Sequence, residues 1–174
     1  MSDTKQYSIA LVVISDRASA GVRDDKCAPA IKKFLEDNDQ KLGNTVIIPD
    51  EADQIGKTIL ELADGGSYNL ILTSGGTGLS PRDVTPEATE ALLDRLIPGI
   101  PEAMRLASQK VTSNAILARG VAGLRGNCMI VNLPGSPKAA VENLDSVFKP
   151  LLHGMDKAEG DMSDCRPLPP SNKL

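Results

Sequence analysis

The sequence predicts an α/β domain with a mostly parallel sheet and one antiparallel strand. Short apolar segments rich in branched side chains, such as residues 7–14, are typical of strands buried on both faces. Segments between them, such as residues 53–63, carry apolar side chains at helical spacing. This alternation predicts parallel strands joined by helices. Two apolar segments around the turn Arg125-Gly126-Asn127 predict a hairpin, and hence the antiparallel strand.

The predicted elements follow one another along most of the chain. Strands are predicted at residues 7–14, 46–48, 68–73, 121–124 and 128–132, and helices around residues 29–37, 53–63, 85–96 and 102–110. The helix at residues 85–96 is expected to have Thr85 as its N-cap and Pro86 in its first turn. A last helix, capped by Ser136, carries an apolar stripe from Val141 to Leu152.

Length and composition place these elements in one domain. The chain has 174 residues, and at roughly 150 residues per domain we expect one domain over residues 1–155. Residues 156–174 are polar and contain several prolines, which predicts a C-terminal tail.

The composition also excludes several classes of protein. Aromatic residues make up 2% of the chain and the formal charge is −4, which argues against nucleic-acid binding through base stacking or a basic surface. No apolar segment approaches the roughly 20 residues of a membrane helix, and no signal peptide is expected. Cysteines at 27, 128 and 165 are too dispersed for a disulfide framework, so we expect a reducing, cytoplasmic location.

Polar or glycine-rich loops follow four of the predicted strands. They are Ser15-Asp16-Arg17, Asp50-Glu51, the loop from Ser74 to Gly78, and the loop from Asn132 to Gly135. Ligands of open α/β sheets bind beyond the carboxyl ends of the strands, so the convergence of these loops predicts one binding site. The alternative for Ser15-Asp16-Arg17 is a simple turn stabilised by its own side chains.

The glycine-rich loop is the strongest single indication of a ligand. Glycines let the backbone approach a ligand closely, and the N–H groups from Gly75 to Gly78 could hold phosphate oxygens. The alternative is a tight turn between a strand and a helix. The loop matches neither common phosphate motif, and Gly56-Lys57-Thr58 is rejected as a phosphate site because it lies inside a predicted helix.

Two aspartates, Asp50 and Asp83, follow turns at the same edge of the predicted sheet. Carboxylates beside a phosphate site commonly hold Mg²⁺. Each has a structural alternative: Asp50 could cap the following helix, and Asp83 could pair with Arg82 or cap the helix near Thr85. Covalent catalysis is not expected, because no serine or cysteine has an evident base and His153 lies near the end of a helix.

Residues 73–89, TSGGTGLSPRDVTPEAT, resemble the signature of the molybdopterin adenylyltransferase family, the MoaB/Mog-type domain shared with the gephyrin G domain. The other loops match in order and approximate spacing, so the resemblance covers residues 7–152. It implies a three-layer α/β/α fold, a homotrimer and Mg²⁺-dependent transfer of AMP from ATP to the molybdopterin phosphate, with release of pyrophosphate. It also implies that the adenylylated pterin passes to a molybdenum-insertion protein.

The resemblance assigns roles to individual residues. Asp50 and Asp83 match the functional, metal-binding carboxylates, Thr77 the loop threonine and Ser108 a serine on the pterin side. The residues expected to bind substrate are Ser15, Asp16, Ser74, Gly75, Gly76, Thr77, Gly78, Ser108, Asn132, Pro134 and Gly135. Two other readings stay open, a non-catalytic molybdopterin-binding module and a related nucleotide pyrophosphatase; ATP turnover separates the enzyme from the module.

Overall fold

The computed structural model describes residues 5–162 as a sheet flanked by helices. The strands are β1 (Ser8–Ile14), β2 (Lys41–Ile48), β3 (Leu70–Ser74), β4 (Arg95–Leu96), β5 (Ala122–Arg125) and β6 (Cys128–Leu133). The helices are α1 (Asp16–Ser19), α2 (Cys27–Asp37), α3 (Ala52–Asp64), α4 (Thr85–Glu90), α5 (Gly99–Gln109) and α6 (Pro137–Ala158), with a 3-10 helix at Ser113–Leu117.

The sheet has the strand order β2-β1-β3-β6-β5-β4. Strands β2, β1, β3 and β6 are parallel neighbours, whereas β5 runs antiparallel to both β6 and β4. The predicted single antiparallel strand is therefore confirmed. The register aligns the ends of the parallel strands, since Ile14 pairs with Ile48 and Ser74 pairs with both Val13 and Leu133. The four loops that follow these strands leave one edge of the sheet.

Two apolar clusters on opposite faces of the sheet give the expected three layers. Alternate residues of β1 divide between them: Ile9, Leu11 and Val13 face α2, α5 and α6, whereas Val12 and Ile14 face α3. All six residues of β1 from Ile9 to Ile14 are buried, as its uninterrupted apolar sequence predicts.

Two elements differ from the sequence-based prediction. Strand β2 begins at Lys41 rather than at residue 46, because an edge strand needs apolar side chains on one face only, and its residues alternate between exposed and partly buried. The helix predicted over residues 85–96 ends at Glu90. Leu96 instead pairs with Gly123 in the sheet and is half exposed, because backbone hydrogen bonding to β5 replaces further helical turns.

Helix ends also depart from expectation in detail. Val84, not Thr85, occupies the N-cap of α4, and Ser136 takes the N-cap position of α6 without a side-chain hydrogen bond. Helix α6 continues to Ala158, past the predicted start of the tail, and residues 163–174, with Cys165, lie outside the described residues. Between residues 5 and 162, no helix has both the length and the apolar character that crossing a membrane requires.

Candidate functional site

Two cavities lie at the edge where the parallel strands end, and we call the one of about 180 Å³ the larger cavity of this pair. Of the residues predicted to form the site, its wall contains Ser15, Asp50, Ser74, Gly75, Gly76 and Gly135. These residues come from the loops after β1, β2, β3 and β6. The predicted convergence of the four loops is therefore present in the structure.

The two glycines after β3 allow the loops to approach one another closely. Gly75 and Gly76 have φ values of +114° and +64°, which only glycine adopts readily. A Cβ on Gly75 would overlap the carbonyl oxygen of Ile14, and one on Gly76 would overlap the hydroxyl of Thr85. The Gly75 N–H donates to the carbonyl of Leu133 at 3.2 Å, so this amide is not available to a phosphate, contrary to expectation.

Asp16 and Asp50 exchange hydrogen bonds across the ends of β1 and β2. The Asp16 N–H donates to Asp50 Oδ2 at 2.8 Å, and the Asp50 N–H donates to Asp16 Oδ1 at 3.0 Å. Asp50 does not cap α3, whose N-cap is Glu51. Ser15 caps α1 by accepting the Ala18 N–H, which is the turn-forming alternative considered for this segment. The reciprocal pair fixes the Asp50 side chain at the wall of the larger cavity.

Arg82 spans the rim of this site. Its guanidinium donates to both carboxylate oxygens of Asp16, at 2.9 and 3.1 Å, and lies 2.9 Å from Glu51 Oε1. The ion pair between Arg82 and Asp83 that the sequence left open does not form; Asp83 Oδ2 accepts the Ser80 N–H at 2.8 Å instead. The Asp83 side chain is thus held within its own tight turn, whereas the Arg82 side chain is held by Asp16 and Glu51 on the opposite side of the site.

The two paired aspartates have opposite electrostatic environments. The hydrogen bonds from Arg82 lower the pKa of the Asp16 carboxyl below its usual range, and the backbone N–H of Asp50 adds to this effect. Burial raises the pKa of the Asp50 carboxyl, and the negative charges of Asp16 and Asp83 raise it further. The hydrogen bond from the Asp16 N–H lowers this pKa but does not outweigh them. Asp50 is therefore a carboxylate whose charge the fold stabilises poorly.

A smaller cavity, of about 20 Å³, lies on the other side of the glycine loop. Thr77, Asn132 and Pro134 line it, whereas their chain neighbours Gly76 and Gly135 line the larger cavity. Two loops thus separate the cavities. Ser108 belongs to the side of the smaller cavity, because its hydroxyl accepts a hydrogen bond at 2.9 Å from Asn143, which also lines that cavity.

Asn132 is almost fully buried at the base of this partition. Its amide donates to the hydroxyls of Thr73 and Thr89 at 2.9 and 3.0 Å, and its carbonyl accepts the Val121 N–H. This network ties β3, β6 and α4 together directly behind the glycine loop. Its buried polar groups are paired, as a rigid support requires.

Three residues that the sequence analysis did not assign to the site also shape it. The Arg119 guanidinium donates to the backbone carbonyls of Gly78 and Asp83. The Cys27 thiol lines the larger cavity and donates to the Gly135 carbonyl at 3.3 Å. Burial raises the pKa of this thiol, which keeps it protonated. The Thr85 hydroxyl is buried without a hydrogen-bond partner. Thr85 lies within the segment 73–89 but is expected there only to cap a helix, and neither Arg119 nor Cys27 lies in a pattern that marks it before the fold is known.

The residues at the rim are chemically suited to Mg²⁺. Asp50 presents carboxylate oxygens at the cavity, and a bound cation would offset the burial and like charge that disfavour its ionised form. Over residues 5–162, no group of three or more His, Cys, Asp or Glu side chains is arranged to hold a metal. Mg²⁺ does not need one, since it is commonly bound through one or two carboxylates together with water and substrate phosphates.

Comparison with protein families gives a match over most of this fold. A model described as "probable molybdopterin binding domain" matches residues 10–154. The molybdopterin adenylyltransferase of Haemophilus influenzae is 46% identical over 146 residues, covering 83% of this chain and 74% of that protein. The molybdopterin adenylyltransferase of Helicobacter pylori is 39% identical over 158 residues and covers 88% of both chains.

Solved structures agree with this match. The molybdopterin biosynthesis enzyme MoaB from Thermus thermophilus has a TM-score of 0.84 at 43% identity, covering 89% of this chain and 98% of that one. The molybdopterin biosynthesis Mog protein from Mycobacterium ulcerans has a TM-score of 0.80 at 38% identity, covering 87% and 99%. The family match over residues 10–154 includes all four loops of the site.

Proposed function

The chain belongs to the molybdopterin-binding domain family, and from this membership we propose that it is a molybdopterin adenylyltransferase of molybdenum cofactor biosynthesis. A phosphate oxygen of molybdopterin attacks the α-phosphorus of ATP. The new P–O bond forms as the bond to pyrophosphate breaks, and pyrophosphate leaves. The phosphate nucleophile is already ionised at neutral pH, so this reaction needs positioning and charge stabilisation more than a base.

The observation that carries the proposal is the position of Asp50. Its carboxylate lies in the wall of a cavity that is also lined by Gly75 and Gly76, although burial disfavours its charge. A site that only stored an anion would gain nothing from a nearby negative charge, whereas a site for phosphoryl chemistry uses such a carboxylate to position a cation. Both the location and the electrostatic strain of Asp50 therefore support catalysis.

We assign roles to the other residues on the same basis. The glycine loop offers the phosphates the N–H groups that follow Gly75, since the Gly75 N–H donates to Leu133. Ser15, Asp16 and Ser74 complete the wall or rim of the larger cavity. Thr77, Ser108, Asn132 and Pro134 form or support the smaller cavity. The smaller cavity, of about 20 Å³, has room for about one water molecule, so a substrate on that side would lie mainly outside it, against the residues that line it.

Asp50 and Asp83 are the residues that would hold Mg²⁺. When bound, the ion neutralises phosphate charge and favours departure of pyrophosphate. Asp83 lies on a turn closed by its own N–H donating to the Ser80 carbonyl and by its carboxylate accepting the Ser80 N–H, both at 2.8 Å. Its like-charge effect on Asp50 supports a common role, because two nearby carboxylates attract a divalent cation.

We further propose a cytoplasmic homotrimer that passes the adenylylated pterin to a molybdenum-insertion protein. Four large apolar side chains are exposed on α5 and the adjoining segment through the 3-10 helix: Leu106, Val111, Ile116 and Leu117. Several exposed apolar side chains within one short stretch of chain are typical of a protein interface. Light scattering of the purified chain, alone and with Leu106→Glu, tests the trimer.

Transfer of label from ATP tests the proposed reaction directly. The chain is mixed with molybdopterin, Mg²⁺ and ATP labelled at either the α- or the γ-phosphate, and the pterin is isolated for mass spectrometry. We expect the α-label on the pterin, the γ-label in pyrophosphate, and no transfer after chelation of Mg²⁺. Pterin that is bound but unmodified over hours would instead establish a binding module. Hydrolysis of ATP to AMP without modified pterin would establish a pyrophosphatase.

A further inference from the structure

Arg119 makes an unusual set of contacts with the glycine loop. Its backbone N–H donates to the Thr77 carbonyl at 3.0 Å, and its Nε donates to the Gly78 carbonyl at 2.7 Å. Its Nη2 donates to the Asp83 carbonyl at 2.5 Å, and Nη1 forms an ion pair with Glu87 of α4. One residue from the chain between the 3-10 helix and β5 therefore holds both ends of the segment 78–83.

These contacts determine which way the peptide groups of the loop face. In a trans peptide, the N–H of each residue points opposite to the carbonyl of the residue before it. The Gly76 carbonyl accepts the Thr85 N–H at 3.1 Å, and the next two carbonyls accept hydrogen bonds from Arg119. The N–H of residue 77 therefore faces away from Thr85 at the start of α4, and those of residues 78 and 79 face away from Arg119.

Three successive N–H groups on one side of a loop make a concave anion site. Carbonyl oxygens facing the same way would repel a phosphate. Arg119 binds two of the three carbonyls that could do so: its backbone N–H binds that of Thr77, and its guanidinium binds that of Gly78. The same guanidinium fixes the backbone of Asp83, whose carboxylate lies close enough to Gly78 that a Cβ there would come within 2.9 Å of Asp83 Oδ2.

We propose that Arg119 is a positioning residue for phosphoryl chemistry: it turns the peptide groups of the glycine loop toward the phosphates and fixes Asp83 beside them. The expected effect of Arg119 on the rate of AMP transfer rests on the proposed function. Its expected effect on phosphate binding does not, because binding is measured without turnover. A planar guanidinium is needed because three of its N–H groups reach three acceptors at once, Gly78, Asp83 and Glu87.

The test compares Arg119→Ala and Arg119→Lys with Arg125→Ala. Arg125 is a matched control, because its guanidinium also binds a carbonyl, that of Leu92, and a carboxylate, that of Asp64, but it lies away from both cavities. For each protein, binding of inorganic pyrophosphate is measured by calorimetry and AMP transfer by initial rates. Unfolding is followed by circular dichroism, so that activity is compared only among folded proteins.

We expect Arg119→Ala to weaken pyrophosphate binding about tenfold, as for loss of well-oriented charge-assisted hydrogen bonds. We expect it to lower kcat about 10- to 100-fold, as for a small misplacement of reacting groups. The pyrophosphate affinity and the kcat of Arg119→Lys are expected to lie between those of Arg119→Ala and those of the unaltered chain. Guanidinium ion at about 50 mM should restore part of the AMP-transfer rate of Arg119→Ala. If Arg125→Ala has a reduced rate, guanidinium ion should not restore it.

The outcomes separate this proposal from the proposed function. Unchanged pyrophosphate binding and rate in folded Arg119→Ala would overturn the positioning role, as would an equal loss in Arg125→Ala. An unaltered chain that transfers no AMP would overturn the proposed function alone. In that case a tenfold weaker affinity of Arg119→Ala for pyrophosphate would still uphold the orientation of the loop, and an equal affinity would refute it.

Discussion

Replacing Asp50 with asparagine is expected to raise stability while removing activity. Burial raises the pKa of this carboxyl above its ordinary value of 3.8, and the charges of Asp16 and Asp83 add to the effect. The folded protein therefore holds the Asp50 proton more tightly than the unfolded chain does. Ionisation consequently destabilises the fold increasingly as the pH rises from about 4 toward neutrality. Asparagine keeps the side-chain shape and an oxygen to accept the Asp16 N–H, but carries no charge.

The size of the gain follows from the partial exposure of Asp50. Screening by solvent keeps the gain small, because the carboxyl is only partly buried. We expect Asp50→Asn to increase the free energy of unfolding by about 0.5–1 kcal/mol at pH 7, within the range seen when strained functional residues are replaced. For a domain of this size, this is a rise in Tm of about 1–4 °C. AMP transfer should fall by about 100-fold or more, as for loss of a preorganised electrostatic group.

Thermal unfolding at pH 7 and pH 3.5, with AMP transfer measured at pH 7, tests this reasoning. Asp53→Asn is the control, because Asp53 is an exposed acidic residue in the first turn of α3. It should lower stability by about 0.3–1 kcal/mol, through the helix dipole, and leave activity unchanged. The stability gain of Asp50→Asn should shrink at pH 3.5. A variant less stable than the unaltered chain at pH 7, or a gain that does not depend on pH, would refute the electrostatic account of this site.

Three further predictions concern the loops. Asp83→Ala should abolish AMP transfer but leave molybdopterin binding, followed by fluorescence, within about threefold, since pterin contacts are expected elsewhere. Gly75→Ala should lower the free energy of urea unfolding by more than about 2 kcal/mol because its Cβ would overlap a carbonyl at φ +114°; Gly56→Ala, in open space within α3, should raise it by about 0.5–1 kcal/mol. Asn132→Leu should cost about 2–4 kcal/mol, because its buried partners lose their hydrogen bonds; intact stability would mean that water replaces the amide.

The sequence predicts the parallel part of the sheet and the convergence of its loops because both depend on local patterns. Continuous apolar character in β1 and β3 indicates burial on both faces, and the residue after each parallel strand must reach the same edge. The positive φ angles of Gly75 and Gly76 are likewise consistent with the residue type. These features need no knowledge of which distant residues meet.

Other features depend on contacts between distant segments and could not be predicted. Leu96 fits the apolar spacing of a helix, yet pairing with β5 makes it part of a strand. Arg119 follows an irregular segment with no motif, and its role emerges only when residues 77–83 lie against it. The pairing of Arg82 with Asp16, 66 residues away, is not evident from a sequence in which Asp83 is its neighbour.

The charge of the site predicts that a polyanion enters it only together with a cation. The charged side chains that line the larger cavity are two cations, Arg23 and Lys26, and three carboxylates, Asp24, Asp25 and Asp50. Arg82, which could add positive charge, is already paired with Asp16 and Glu51. Side chains alone therefore give a phosphate little net attraction, and the oriented N–H groups of the glycine loop supply only partial charges. A divalent cation beside Asp50 would relieve its like-charge strain and attract the phosphate in one event, so that metal and nucleotide each strengthen the binding of the other.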